Sequence, residues 1–215
     1  MVKRASEKQG ITPRVICIDG GPCSGKSTVL DALQARTYDR PVVFVPELAS
    51  VFGEELLARG TDYPRLAATS RTEYLAYQHR IIGGYITRIA AARAELVDRG
   101  GLIVTDRGPA GIAAYVESHE WQGLLDDFGV DSCGMQRNYA DSVIFLDSLA
   151  VANPSLYERL CRNNDLRTET IPEAARLHQR SFDCWRDHED IQRIGGADMG
   201  QKINTVTQFV LGSLG

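Results

Sequence analysis

Eight consecutive residues limit the folds open to this chain more than any other feature. Gly20-Gly21-Pro22-Cys23-Ser24-Gly25-Lys26-Ser27 fit the pattern Gly-x4-Gly-Lys-Ser/Thr. They lie between a β-branched run, Arg14 to Gly20 (RVICIDG), and a helical pattern from Lys26 to Ala35. The order strand, loop, helix is what such a loop requires. Glycines let backbone amides turn inward around phosphate oxygens, and the start of the helix adds partial positive charge. In this reading Lys26 reaches the β- and γ-phosphates, Ser27 ligates magnesium, and Thr28 completes the contact surface. Cys23 is taken as a small residue filling a loop position rather than as an activated thiolate.

The strand signal recurs at Pro41 to Val45, at Leu102 to Thr105, at Val143 to Leu146 and, more weakly, at Asp190 to Ile194. These runs are apolar along most of their length instead of alternating, which suits strands covered on both faces, and helical stretches separate them. The expected fold class is α/β: a three-layer sandwich with a roughly five-stranded parallel sheet. The longest helical pattern is Thr72 to Asp98, where Tyr74, Ile81, Tyr85, Ile89, Ala92 and Leu96 recur at three- and four-residue steps and Gln78 interrupts the stripe. Between Glu117 and Tyr139 the periodicity fails, so 117–140 is expected to be an excursion from the core. Thr170-x-x-Glu173 forms a capping box before a helix running to about Trp185. A length of 215 residues suits one domain, here 13–215 behind a flexible terminus, 1–12.

Composition removes other classes. With 43% hydrophobic and 24% charged residues the chain can form a core and is neither disordered nor collagen-like. No apolar run approaches the ~18 to 20 residues that a membrane span needs. The polar start, Met1 to Gly10, lacks the apolar stretch of a secretory signal, so a cytoplasmic protein without a membrane partner is expected. Cys17, Cys23, Cys133, Cys161 and Cys184 are dispersed and are read as free thiols. His79, His119, His178 and His188 lack metal-ligand spacing. The net charge of −4 offers no general attraction to polyanions, so phosphate must be held by local basic groups.

In open α/β sheets ligands gather beyond the carboxyl ends of the strands, and three sets of polar residues fall there. Glu47, after the second strand, stands where a general base would meet an acceptor hydroxyl; the plainer reading is a glutamate capping the next helix. Thr105-Asp106-Arg107-Gly108 ends the third strand with an acid suited to magnesium or its waters and a guanidinium suited to a substrate. Asp147, closing VIFLD, is a second candidate for the metal-linked acid and ranks below Asp106. From Glu158 to Arg167 the sequence ERLCRNNDLR brings three arginines, a helical lid region within 148–170 or an ordinary solvated run.

Together these motifs resemble the P-loop kinase group that contains the deoxynucleoside kinases, the thymidylate kinases and the AAA-like domain of ribosylnicotinamide kinases. GGPCSGKST, VPELA and DRGPAG are most similar to the ribosylnicotinamide-kinase-type domain, whereas LYERLCRNNDLRTETIPEAARLHQRSFDCW resembles a deoxynucleoside-kinase lid and its following helix. The resemblance spans most of the chain and implies a nucleoside-monophosphate-kinase-like fold. By position it implies Glu47 as base, Asp106 as the magnesium-linked acid, Arg107 as a substrate or phosphate contact, and Arg159, Arg162 and Arg167 as lid arginines. Gln78, in TEYLAYQHR, falls where deoxynucleoside kinases place a base-reading glutamine; a core glutamine is the alternative. No Arg-Glu-Pro-Gly-Gly loop follows the second strand, against thymidylate kinase proper, and Asp-Arg-Gly replaces the Asp-Arg-Ser of a nucleoside kinase.

The expected activity is transfer of the γ-phosphate of ATP, with Mg2+, to a small nucleoside-like or nucleotide-like acceptor. Lys26, Glu47, Asp106, Arg162 and Arg167 would carry the chemistry. Glu47 favours a hydroxyl acceptor, since a phosphate is already ionised near neutral pH. A nucleotide-gated regulatory ATPase and a polynucleotide 5′-end kinase are the rival readings. Nucleic acid is the less favoured partner, and association with a second copy of the chain is left open.

Overall fold

In the computed structural model the described residues are 12–161 and 169–215. The chain order is β1 (Arg14–Gly20), α1 (Lys26–Gln34), β2 (Val42–Val45), α2 (Leu48–Ala58), a 3-10 turn (Tyr63–Arg65), α3 (Leu66–Thr69), α4 (Arg71–Leu96) and β3 (Leu102–Asp106). A longer 3-10 segment (Pro109–Tyr115) follows, then α5 (Ser118–Phe128), α6 (Ser132–Tyr139), β4 (Ser142–Leu146), α7 (Leu149–Ala152), α8 (Pro154–Cys161), α9 (Ile171–Asp183), β5 (Ile191–Ile194) and α10 (Met199–Gly212). Five strands pair in parallel in the order β2-β3-β1-β4-β5. All five strand signals of the sequence are therefore strands, and the fold is the expected α/β one.

β1 lies at the centre and shows why its pattern is continuous rather than alternating. Val15 and Cys17 face a core shared with Ile81, Tyr85 and Ile89 of α4, while Ile16 and Ile18 face a second core with Val29 and Leu33 of α1 and Val206 and Val210 of α10. Burial of both faces produces three layers. It also brings the ends of β1, β2, β3 and β4 to one edge of the sheet, since parallel strands share a direction.

The excursion requires a correction. Within it Ser118–Phe128 and Ser132–Tyr139 form α5 and α6, and both pack into the core instead of departing from it. Glu120 Oε2 accepts from the Glu117 amide at 2.7 Å, Asp131 accepts from the Gly134 amide at 2.6 Å, and Leu124, Leu125 and Met135 join the core around α4. Each helix buries so few side chains that its apolar stripe is too short for periodicity to register. The capping box at Thr170 is present, with Glu173 Oε2 accepting from the Thr170 amide at 2.8 Å, and α9 ends at Asp183, before Trp185. The expected flexible terminus lies almost wholly outside the described residues. Of the lid region, α7 and α8 are described. Among the described residues no helix is long and apolar enough to cross a membrane.

Candidate functional site

The loop after β1 has the shape its sequence implies. Gly25, the residue before α1, has φ 89°, a left-handed conformation that glycine adopts without strain, and a Cβ there would stand 2.2 Å from Met199 Cε. At Gly21 the reason is proximity: a Cβ would stand 2.6 Å from Cβ of His178 on α9. Cys23 is also left-handed, φ 53°, and packs against the small apolar cluster of Leu149, Ala150, Tyr157 and Ala174, which accords with its reading as a filler. Three residues, from α10 and the start of α7, fasten the loop from outside. Lys202 Nζ of α10, almost fully buried, donates to Ser24 O at 3.0 Å and Asp147 O at 2.6 Å; Ser148 Oγ donates to Pro22 O; and the Leu149 amide donates to Cys23 O at 3.2 Å.

Lys26 folds back across the loop, donating from Nζ to Gly20 O at 2.9 Å. Burial pulls its ammonium below the ordinary lysine value, and nearby Arg107 adds to this, while Asp106, Asp19 and Glu47 oppose it. Ser24 Oγ is buried without a hydrogen-bond partner, and the first turn of α1 has no side-chain cap. Inward-facing donors at an uncapped helix start suit an anion, so the residues present fit a nucleotide phosphate.

Beside Lys26, the ends of β2 and β3 bring together the residues singled out after those strands. Glu47 occupies the position before α2, and Ser50 Oγ donates to its Oε2 at 2.8 Å, so the helix-capping reading holds in part. Its other oxygen lies 3.6 Å from Nη2 of Arg107. Arg107 is buried and left-handed, φ 62°, with its amide donating to Ile18 O at 2.8 Å and its guanidinium 4.8 Å from the Tyr115 ring centroid. Nε of Arg107 also lies 3.5 Å from Oδ1 of Asp19.

Asp106 has a buried Oδ1 with no hydrogen-bond partner. Burial raises its carboxyl from the ordinary 3.8 to about 6; Lys26 opposes the rise and Glu47 adds to it. A buried, unpartnered carboxylate oxygen beside an anion-binding loop suits a divalent cation or its water. Asp147 differs. Its Oδ1 accepts from Arg193 Nε at 2.7 Å and lies 3.3 Å from His178 Nε2, so it is occupied within the protein.

The raised value of Asp106 predicts a trade-off between stability and function. Between about pH 4 and pH 6 the folded chain holds a proton that the unfolded chain has lost, so stability falls as pH rises through this window. Asp106→Asn, which cannot ionise, should therefore melt above the parent protein at pH 7.5 in the absence of nucleotide. A gain on the order of 1 to 3 kcal/mol is expected, disappearing below pH 4. Thermal unfolding of both proteins at the two pH values measures it, and equal melting temperatures at pH 7.5 would refute it.

Gln78 is buried on α4, one turn beyond Tyr74. Tyr74 donates to the backbone carbonyl of Tyr115, whose ring lies under Arg107, at 3.0 Å. Arg159 is exposed on α8, beside Leu160, which with Leu149 and Met199 walls a cavity of about 230 Å3 over Cys23 to Thr28. Arg162 and Arg167 lie outside the described residues. A larger cavity, about 450 Å3, opens away from the loop between the 109–115 segment, α5, α6 and α9, around Trp121 and Arg180.

Three participants escaped the sequence reading. Asp19 is 1% exposed and Lys202 equally buried, and His178 packs against the phosphate loop. Asp19 did leave a signal, as the one carboxylate in an otherwise apolar strand. Lys202 and His178 left none, since their positions depend on how α10 and α9 dock.

Residues 15–192 match the family model described as an AAA domain. No curated protein matches the chain.

Proposed function

Because the chain belongs to the AAA domain family, with a P-loop for nucleotide, we propose that it is a phosphotransferase that moves the γ-phosphate of ATP to a hydroxyl of a small nucleoside-like acceptor. The observation that carries this reading is the meeting of Glu47, Arg107, Asp106 and Lys26 at one edge of the sheet. A nucleotide-binding switch needs the loop and the metal-side acid. It has no evident use for a second carboxylate paired with a buried arginine beside them.

In this reading the residues divide the work. The loop amides and Lys26 bind the donor phosphates, and Leu149, Leu160 and Met199 offer an apolar wall to the remainder of the nucleotide. Ser27 and Asp106 are the residues that would hold a magnesium ion, Asp106 directly or through water, and such an ion would supply positive charge to the transferred group. Glu47 accepts the proton of the acceptor hydroxyl, with Arg107 orienting its carboxylate. Gln78 contacts the acceptor from α4. Arg159 would act as a lid arginine, and the same role is proposed by sequence position alone for Arg162 and Arg167, which lie outside the described residues.

The test is acceptor-dependent ADP release, measured with MgATP against a panel of nucleosides, nucleoside monophosphates and nicotinamide riboside. Release stimulated by a nucleoside or riboside bearing a free hydroxyl supports the proposal. Stimulation confined to monophosphates would replace the hydroxyl with a phosphate acceptor. Slow hydrolysis indifferent to every acceptor would overturn the kinase reading in favour of a regulatory ATPase.

A further inference from the structure

The carboxylate of Asp19 has no part in the roles just assigned, yet the neighbouring loop amide and two side chains from distant parts of the chain converge on it. Its Oδ1 accepts from the Gly20 amide at 2.7 Å, at the first residue of the phosphate loop. Its Oδ2 accepts from Trp185 Nε1 at 2.7 Å, just beyond α9. Nε of Arg107 lies 3.5 Å from Oδ1, from the far side of β3. Both Asp19 and Trp185 are almost completely buried, and the pocket has no spare room: a Cβ on Gly111 would stand 2.6 Å from Asp19 Oδ2 and 2.8 Å from Arg107 Cγ. A buried carboxylate is tolerated only when its oxygens are occupied and its charge is balanced; here a loop amide and an indole donate to the two oxygens, and the Arg107 guanidinium supplies the counter-charge at ion-pair distance.

We infer that Asp19 is a positioning residue that sets Arg107, and through Arg107 the carboxylate of Glu47, relative to the phosphate loop. Arg107 is held in a left-handed backbone conformation that non-glycine residues seldom adopt, a cost that persists only where surrounding bonds fix it. Its amide is tied to Ile18, the neighbour of Asp19 on β1, and its side chain runs between Asp19 and Glu47. Asp19 thus joins β1 to β3 at the height of the donor phosphates, and Arg107 continues the connection to β2. Neutralising Asp19 leaves Arg107 with Glu47 as its only carboxylate partner at ion-pair distance among the described residues, so guanidinium and base shift together. The indole bond extends the arrangement to the segment after α9, the helix that follows the lid region.

The inference rests on the kinase reading for its effect on turnover, but the arrangement itself can be tested without an acceptor. The chain has two tryptophans. In a Trp121→Phe background Trp185 alone emits, and Asp19→Asn should shift its emission by several nanometres, because the indole loses an anionic acceptor. Arg107→Met should shift it as well, through loss of the counter-charge. The second arm is a double-substitution cycle on acceptor-dependent turnover. Asp19→Asn should lower kcat by about 10- to 100-fold with ATP affinity within about threefold, as expected when only the positioning of a reacting group is lost. In an Arg107→Met background it should lower kcat no further. Losses that multiply, or an emission spectrum indifferent to Arg107→Met, would overturn the inference and reduce Asp19 to a structural residue. If ADP release by the parent protein is indifferent to every acceptor, the kinase reading fails instead, and the emission arm alone decides whether Asp19 holds Arg107.

Discussion

Lys26→Ala abolishes phosphoryl transfer while the protein remains folded: a loss of about 1,000-fold or more in turnover is expected, with no fall in melting temperature. The reason is the unequal use of this side chain before and during reaction. At rest its ammonium makes one hydrogen bond, to Gly20 O, and burial already disfavours its charge, so the fold gains little from it. During transfer it is the loop's own cation, and in a desolvated setting such a charge is worth far more than in water. The comparison calls for MgATP at saturating concentration, the acceptor identified by the panel, and thermal unfolding of both proteins. Turnover within threefold of the parent's would remove the loop from the chemistry and end the kinase reading.

Glu47→Gln should lower turnover by about 100- to 10,000-fold, the range typical of losing a general base, with little change in ATP affinity. Glutamine keeps the length of the side chain and one oxygen, which can face Arg107 while its NH2 group donates to Ser50 Oγ, so the contacts made by Glu47 at rest survive in outline. What it cannot do is accept a proton. The defect should therefore fall on kcat, while KM for ATP stays near that of the parent. Steady-state kinetics with a hydroxyl acceptor decides the matter. A near-parental kcat would leave Glu47 as the cap of α2 and nothing more.

The fate of these two side chains shows what could be read in advance. Lys26 belongs to a contiguous motif whose meaning is local: glycines, a lysine and a serine at fixed spacing, between a strand and a helix. Nothing distant is needed to recognise it. Glu47, Asp106 and Arg107 were legible one level less directly, through the rule that residues after parallel strands gather at one edge of the sheet. The ordering of Asp106 above Asp147 was an expectation of that kind; the structure adds a contact the sequence does not contain, the bond from Arg193 of β5 to Asp147. The helices at 117–140 were missed because each buries too few residues to show a period.

By itself, then, the sequence determined the parallel sheet, the phosphate loop after its central strand and the polar residues at the strand ends. All of these follow from short-range patterns: continuous apolar runs, glycine spacing and helix caps. Only the tertiary structure decided which carboxylates are engaged and which face the site. It placed Asp19 between Arg107, Trp185 and Gly20, and it put Lys202 beneath Ser24. The physical reason is that a buried charge is tolerated through partners far away along the chain, here 166 residues for Trp185 and Asp19 and 178 for Lys202 and Ser24. No local pattern encodes those distances, because they come into being when the layers close on the sheet.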